Sequence, residues 1–390
     1  MVIYPKDWKL VQAEQIVDIG TGCRDTQDNV PHGKYPFFVR SPIVERIDVA
    51  DYDCEAVLTA GDGVGTGKVF HYFQGRFAAH QRVYVMNNFH GIDGKYFYYY
   101  FSENFINEVE KYTAKSSVDS VRRAMIAKME IPLPSMDEQK AIVKVLSDFD
   151  IHIANLAELI EKKKGIRDGA LEDLVSGRTR LQGYQRDWVT VPFNEYFSLL
   201  GNNTYAREQL SEHGTIGNIH YGDILVKYGN VVSEIDKIPR LKDGVPFSEK
   251  WLLLEKDVLI ADTAEDETVG KAIQIGKISY PVVGGLHTIV CRPNMKTASG
   301  FLGYYINSKS FHDQLLPHIT GIKVSSVSKK AIKTTELRIP SDVEEQEAIT
   351  DVLVSMDDEI RAIEDERNKM IQIREGAMDD LLTGRVRLAV

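Results

Sequence analysis

The sequence predicts a mixed α+β protein. It consists of two globular α/β domains separated by two long helices, packed as an antiparallel coiled coil in a pseudo-twofold internal repeat. Three observations predict it. The stretch Glu138–Leu181 recurs as Glu345–Leu388, about 207 residues later and without a gap, at roughly two in five positions identical. Within each copy apolar residues return at alternating steps of three and four, the period of a narrow coiled-coil seam. Each copy is preceded by a segment of short β-branched or aromatic runs, broken by glycine-rich turns.

The seam of the first copy is Ile142, Leu146, Phe149, Ile153, Leu156 and Ile160. That of the second is Ile349, Leu353, Met356, Ile360, Ile363 and Met370. Charged residues fill the other faces. Pro134-Ser135 and Pro340-Ser341 stand before the two helices, and Glu138, three after Ser135, predicts a capping box. Ser176-Gly177 and Thr383-Gly384 place glycine just past the last apolar position, where a left-handed cap forms most easily. Each helix then runs about 40 residues, roughly 60 Å. A lone helix cannot bury one narrow stripe, so the two copies pack on each other. Only the short linker 182–186 follows the first helix. The second globular segment therefore starts at that helix's far end and feeds the second helix from there, which makes the pair antiparallel. The expected division is a globular domain at 1–134, a helix at 135–181, the linker at 182–186, a second domain at 187–340 and a second helix at 341–390.

Composition bounds the function. The chain has 390 residues, 43% hydrophobic and 27% charged, as in ordinary soluble globular proteins. No apolar run is long enough for a signal peptide or a membrane span. Three scattered cysteines (Cys23, Cys54, Cys291) fit a reducing cytoplasm without disulfides or zinc pairs. The net charge of −10 argues against nucleic acid at first sight. Most of that excess sits in the second helix, where about fourteen acids face about six bases. Basic clusters on the near-neutral globules remain free to face phosphates.

Strands are expected at Lys9–Val11, Phe37–Arg40, Ala56–Thr59, Val69–Phe73 and Arg82–Val85, and a helix over Gly94–Tyr112. The second globule repeats the plan faintly. Asp187-Trp188 answers Asp7-Trp8, and Val258-Leu259-Ile260-Ala261 answers Val57-Leu58-Thr59-Ala60. Ser325-Ser326-Val327 answers Ser116-Ser117-Val118. The helices agree well and the globules poorly, which suggests a constant scaffold carrying two variable reading heads.

Several motifs invite chemistry and decline it. Gly61–Lys68 looks like a phosphate loop, but Asp62 stands where a glycine is needed and Val69 where Ser or Thr should bind magnesium. A turn between strands is the better reading. The acidic loop Ala264–Thr268 has no partner ligand at motif spacing, and the ten histidines form no metal pattern. Tyr96–Phe101 is read as core rather than as a base-stacking platform. No catalytic and no metal residue is assigned. The more promising pair combines hydroxyls with cations, which suits phosphate and base-edge contacts. It is Lys115, Ser116, Ser117, Arg122 and Arg123 in one half, and Lys323, Ser325, Ser326, Ser328, Lys329 and Lys330 in the other. Weaker DNA-contact candidates are Arg76, Gln81, Arg82, Arg24–Gln27, Tyr205 and Arg207.

With these features in place, the chain resembles the specificity subunits of type I restriction–modification enzymes over nearly its whole length. The carriers are Ile131–Asp150 and Ile339–Asp357, with their Ile-Pro…Glu-Gln…Ala-Ile…Val-Leu…Asp pattern, and the Gly-Arg-x-Arg-Leu endings at 177–181 and 384–388. Pro-Pro-x-x-Glu-Gln, frequent in the family before the helix, is replaced here by Leu-Pro-Ser-Met-Asp-Glu-Gln and Ile-Pro-Ser-Asp-Val-Glu-Glu-Gln. The resemblance implies two target recognition domains that read one half each of a bipartite, asymmetric site on double-stranded DNA. It implies spacer helices that set the gap and bind two methyltransferase subunits. Adenine N6 methylation from S-adenosylmethionine, and ATP- and magnesium-dependent cleavage by nuclease/motor subunits, would belong to those partners. The chain itself would hold no cofactor and no catalytic residue, and would act in the cytoplasm without a membrane. Base-reading residues do not carry over, since these domains diverge by design. Two rival readings are a coiled-coil adaptor without nucleic acid and a stand-alone nucleotide-dependent enzyme using Gly61–Lys68.

Overall fold

The computed structural model describes residues 4–111, 120–321 and 323–389. They form two compact units, Met1–Ala157 with Asp365–Val390, and Glu158–Glu364. Each unit holds one globular head and a stretch of both long helices, Met136–Ser176 and Val343–Thr383, which have 41 residues each. No helix among the described residues is long and apolar enough to cross a membrane.

In the first unit the head is built on a six-stranded sheet. Its order is Asp18–Thr21, Val83–Asn87, Tyr52–Ala60, Phe70–Ala79, Tyr35–Phe38, Glu45–Ile47. All neighbours are antiparallel except Tyr35–Phe38, which runs parallel to Phe70–Ala79. The central strand is buried continuously from Ala56 to Ala60. A strand covered on both faces reads as an unbroken apolar run rather than an alternation, which is why the sequence marks it so plainly. The helix Gly94–Glu110 covers one face with Tyr96, Phe97, Tyr99, Phe101 and Phe105, all fully buried. These rings stack on one another, with centroids 5.4 Å apart for Phe97–Phe101 and 4.4 Å for Phe101–Phe105. They are core, as expected, and unavailable to nucleic-acid bases.

The second head follows the same plan with more strands. Its main sheet runs Phe197–Leu200, Thr288–Pro293, Val258–Ala261, Ala272–Ile275, Val231–Val232. A four-stranded sheet is added from Leu210–Ser211, Arg240–Leu241, Gly217–Ile219 and Val282–Gly284. This addition accounts for most of the extra length of the second half. In both heads the first strand pairs antiparallel with the strand that leads into the long helix. These are Lys9–Gln12 with Glu130–Leu133, and Trp188–Pro192 with Glu336–Pro340.

Antiparallel packing is visible inside each unit. In the first, Asp150 pairs with Arg374 at 2.5 Å and Glu138 with Arg387 Nη2 at 2.8 Å. In the second, Lys163 pairs with Glu359 at 2.6 Å, Arg167 with Asp357 at 3.4 Å and Arg180 with Glu345 at 2.6 Å. As numbering rises along one helix it falls along the other. The partly exposed pairs, Asp150–Arg374, Lys163–Glu359 and Arg167–Asp357, add little stability, so along the middle of the helices the apolar seam holds them and these charges set register. Ile142, Leu146, Leu156, Ile160, Ile349, Leu353 and Ile360 are buried. Phe149, Ile153, Met356, Ile363 and Met370 are half-buried. At their ends the helices become head core. Ile142, Leu146, Met378, Leu381 and Leu382 join the first head, and Leu171, Leu174, Val175, Ile349 and Leu353 the second.

The repeated Glu-Gln is the joint. Glu345 accepts from Arg180 Nε at 2.9 Å, Arg180 Nη2 at 2.6 Å and Trp188 Nε1 at 3.3 Å. Glu138 accepts from Trp8 Nε1 at 3.2 Å and from Arg387, whose guanidinium also bridges to Asp7. Gln139 accepts from the backbone N–H of Asp93 and Gln346 from that of Ala298, each just before a head helix. This corrects one expectation. Ser135 Oγ accepts from the Glu138 N–H at 3.2 Å, so half of the capping box forms. The Glu138 carboxylate does not return to the cap, because burial against Trp8 and Arg387 competes for it. At the second helix the cap falls on Asp342, which accepts from the Glu344 N–H, while Ser341 donates to the Asp187 carbonyl.

The helix stops are as expected. Gly177 and Gly384 adopt φ of 72° and 71°. A Cβ on Gly384 would stand 2.5 Å from Pro5 Cγ. Gly384→Ala should therefore cost about 1–2 kcal/mol from the left-handed conformation alone, and more from the clash. Thermal unfolding of the variant, read against the same change at the open helical Gly376, checks this.

Candidate nucleic-acid interface

Both heads place the same pieces at one edge of the main sheet. In the first, the central strand Tyr52–Ala60 runs into the loop at Gly61. The Gly61 N–H donates to the Arg82 carbonyl at 2.8 Å, and the Gly61 carbonyl accepts from the Val121 N–H at 2.7 Å. Asp62 bridges to Ser120. In the second, the Asp262 N–H donates to the His287 carbonyl at 3.1 Å, and the Asp262 carbonyl accepts from the Val327 N–H at 2.9 Å. Thr263-Ala264 pairs with Ser325-Ser326. The loop after the central strand is thus clamped in both heads between the turn before a neighbouring strand, Val83–Asn87 or Thr288–Pro293, and a Ser-Val pair before a short basic helix.

In the first head Ser120-Val121 faces the loop, in the place that Ser326-Val327 takes in the second. Val118, of the expected counterpart Ser116-Ser117-Val118, lies outside the described residues. Lys115, Ser116 and Ser117 lie outside the described residues. Arg122 is exposed just before the helix Arg123–Ala127, and Arg123 reaches Glu14 at 3.7 Å. In the second head Ser328 caps the helix Lys329–Ile332 by accepting from the Ala331 N–H at 3.1 Å. Lys323, Lys329 and Lys330 are exposed and form no ion pair with the described residues.

The loop Gly61–Lys68 is a strand-to-strand turn, as expected. Asp62 holds two arginines, Arg40 Nη1 at 2.8 Å on one oxygen and Arg82 Nη1 at 2.5 Å on the other. Partial burial opposes its charge, but the two guanidinium hydrogen bonds prevail and hold its carboxyl below the ordinary value. Gln81, beside Arg82, donates from Nε2 to Asp25 at 3.0 Å, and Arg24 makes a two-pronged contact with Asp51. Gln81, Arg82, Asp62 and Ser120 line a cleft of about 340 Å³. Arg76 lies in the strand Phe70–Ala79 with its guanidinium 4.7 Å from the Tyr35 ring.

In the second head His287 Nδ1 stands 3.1 Å from Asp262 and 3.2 Å from Thr263 Oγ1, and its ring packs edge-on against Tyr221. Arg207 pairs with Asp223 at 3.1 Å, and Tyr205 donates to the Pro246 carbonyl. His220, beside them, is buried, and that burial lowers its pKa. Asp266 is engaged by Thr268, which closes the acidic loop as a turn. Among the described residues no group of three or more His, Cys, Asp or Glu is placed to hold a metal.

Sequence reasoning missed Asp62 and Asp262, although each follows a matching Val-Leu-x-Ala run by one or two positions. It missed Arg40 and His287 for a better reason, since no local pattern connects either to its carboxylate. What the edge offers is exposed cations, hydroxyls and amides, groups that can hydrogen-bond to phosphates and base edges.

A family model described as the type I restriction modification DNA specificity domain matches residues 5–163 and 185–372. The MjaVIII specificity subunit of Methanocaldococcus jannaschii is 24% identical, over 98% of this chain and 94% of its own. The EcoDI specificity subunit of Escherichia coli is 28% identical over 55% of this chain and 47% of its own. Among solved structures, the type I specificity subunit of M. genitalium superposes with a TM-score of 0.59 at 18% identity, covering 96% of both chains. A chain from a study of type I complex assembly and conformational transition gives 0.60 at 14% identity, covering 98% of this chain and 100% of that one.

Proposed function

Since the chain belongs to the type I restriction–modification DNA specificity family, we propose that it is the non-catalytic subunit that reads a bipartite, asymmetric site on double-stranded DNA for such a complex. The observation that carries the reading is the duplicated edge. One backbone arrangement, clamped by equivalent hydrogen bonds, carries Asp62 with Arg40 and Arg82 in one head and Asp262 with His287 and Thr263 in the other. A constant frame with different side chains at equivalent places suits two heads that recognise different base sequences. The internal repeat gives the chain two heads of one plan, which suits the two halves of a bipartite site. The long helices would dock two methyltransferase subunits, which flip and methylate the adenine. S-adenosylmethionine belongs to those subunits, and ATP and magnesium to nuclease/motor subunits.

Co-expression with its adenine methyltransferase in a methylation-free host, followed by methylome sequencing, tests this. One motif is expected, with two dissimilar half-sites around an unread gap. A complex that methylates without a bipartite motif, or binds no DNA, sinks the reading. The exposed Lys329 and Lys330 are expected to contact phosphates. Changing both to Ala should weaken binding to all sequences alike and reduce the slope of log K against log salt by about two. Titration at several salt concentrations measures it.

A further inference from the structure

We propose that Arg82 reads a guanine in the half-site bound by the first head, with Asp62 as its positioning residue. This rests on the DNA-reading function above and locates one base contact within it.

Arg82 is the last residue of the turn before strand Val83–Asn87, and its side chain is 63% exposed. One nitrogen, Nη1, is spent on Asp62. Nε and Nη2 have no partner among the described residues and leave one edge of the guanidinium free. Two parallel donors on one edge match guanine O6 and N7 in the major groove. The carboxylate beneath is fixed in turn. Asp62 is 16% exposed, tied to Arg40 and backbone-paired with Ser120. An arginine held this way loses less rotamer freedom on binding than a free one.

The local charge separates base reading from phosphate binding. Asp62 compensates one of its two arginines, which weakens the pull on a phosphate. A neutral base edge is recognised through hydrogen-bond direction, which that compensation leaves intact. Lys329 and Lys330 show the opposite design, exposed and without a carboxylate partner among the described residues. Gln81, beside Arg82, is likewise tethered by one donor, to Asp25.

The second head supplies an independent observation. His287 directly precedes strand Thr288–Pro293, as Arg82 precedes Val83–Asn87, and its carbonyl takes the equivalent backbone bond. It too is held by the carboxylate of the adjoining loop, Asp262. The carboxylate is kept and the donor it aims is exchanged. That is where two heads reading different half-sites should differ.

The test is methylome sequencing of the complex carrying Arg82→Ala or Asp62→Asn. Arg82→Ala should make a single guanine of one half-site degenerate, with discrimination there falling roughly five- to hundredfold. The other half-site and the gap should stay as they were, which also reports that the chain is folded. Asp62→Asn should relax the same position less. An unchanged motif overturns the proposal, and so does an even loss of methylation with the motif intact. If Arg82→Ala abolishes methylation, competition binding with duplexes substituted at each position decides. Preference lost at one guanine upholds the proposal, and preference kept at every position overturns it. A wild-type complex lacking any bipartite motif would instead overturn the function proposed above, so the two failures are distinguishable.

Discussion

Four residues inserted into each long helix, between Ala157 and Glu158 and between Glu364 and Asp365, should lengthen the unread gap of the target by one or two base pairs. Four residues add about 6 Å to a helix, and duplex DNA rises about 3.4 Å per base pair. The apolar seam advances in steps of three and four, so a four-residue insertion made in both copies keeps apolar positions facing each other. The heads themselves are untouched, since their cores draw only on the helix ends, Ile142, Leu146, Met378, Leu381 and Leu382 on one side and Leu171, Leu174, Val175, Ile349 and Leu353 on the other. Both half-sites should therefore stay the same while the gap grows. A methylome with the old gap would show that the helices do not act as the ruler.

Glu345→Ala should destabilise the second unit by about 3 kcal/mol. The carboxylate is 1% exposed and accepts two hydrogen bonds from Arg180 and one from Trp188. Its removal leaves Trp188 Nε1 without an acceptor. Arg180 is partly exposed and regains water, so the loss is smaller than for a fully buried pair. Glu345→Gln keeps an acceptor and the side-chain volume, and should cost less. Glu138 occupies the equivalent place against Trp8 and Arg387, and Glu138→Ala should act on the first unit with similar size. Urea unfolding followed by tryptophan fluorescence reads both. A loss below about 1 kcal/mol at either position would mean that the joint is held by packing and that the Glu is incidental.

These expectations differ in where they could be read. The two 41-residue helices, their seam and their glycine stops follow from local rules of spacing and backbone freedom, and such rules are written in the order of residues. Ile142, Leu146, Ile349 and Leu353 could be chosen as seam because the three–four period repeats over several turns. Their second role, as head core, could not. The short strands Asp18–Thr21 and Glu45–Ile47 also escaped notice, because they have too few residues for a period and take their partners from distant strands. Among the site residues, Gln81 and Arg82 were visible as candidate DNA contacts, without any sign that Asp25 and Asp62 hold them.

The chain order alone determined the duplication, the antiparallel sense of the helices and the presence of two dissimilar heads, because each follows from repetition and from linker length. Only the tertiary structure decided what the repeated Glu-Gln is for, since its partners Trp8, Asp93 and Arg387 lie at separations that no local pattern spans. It also decided that Ser120-Val121 meets the loop at Gly61, and that one aspartate in each head holds a different exposed donor. Contacts of that kind depend on which backbones come to lie side by side, and a linear pattern carries no record of them.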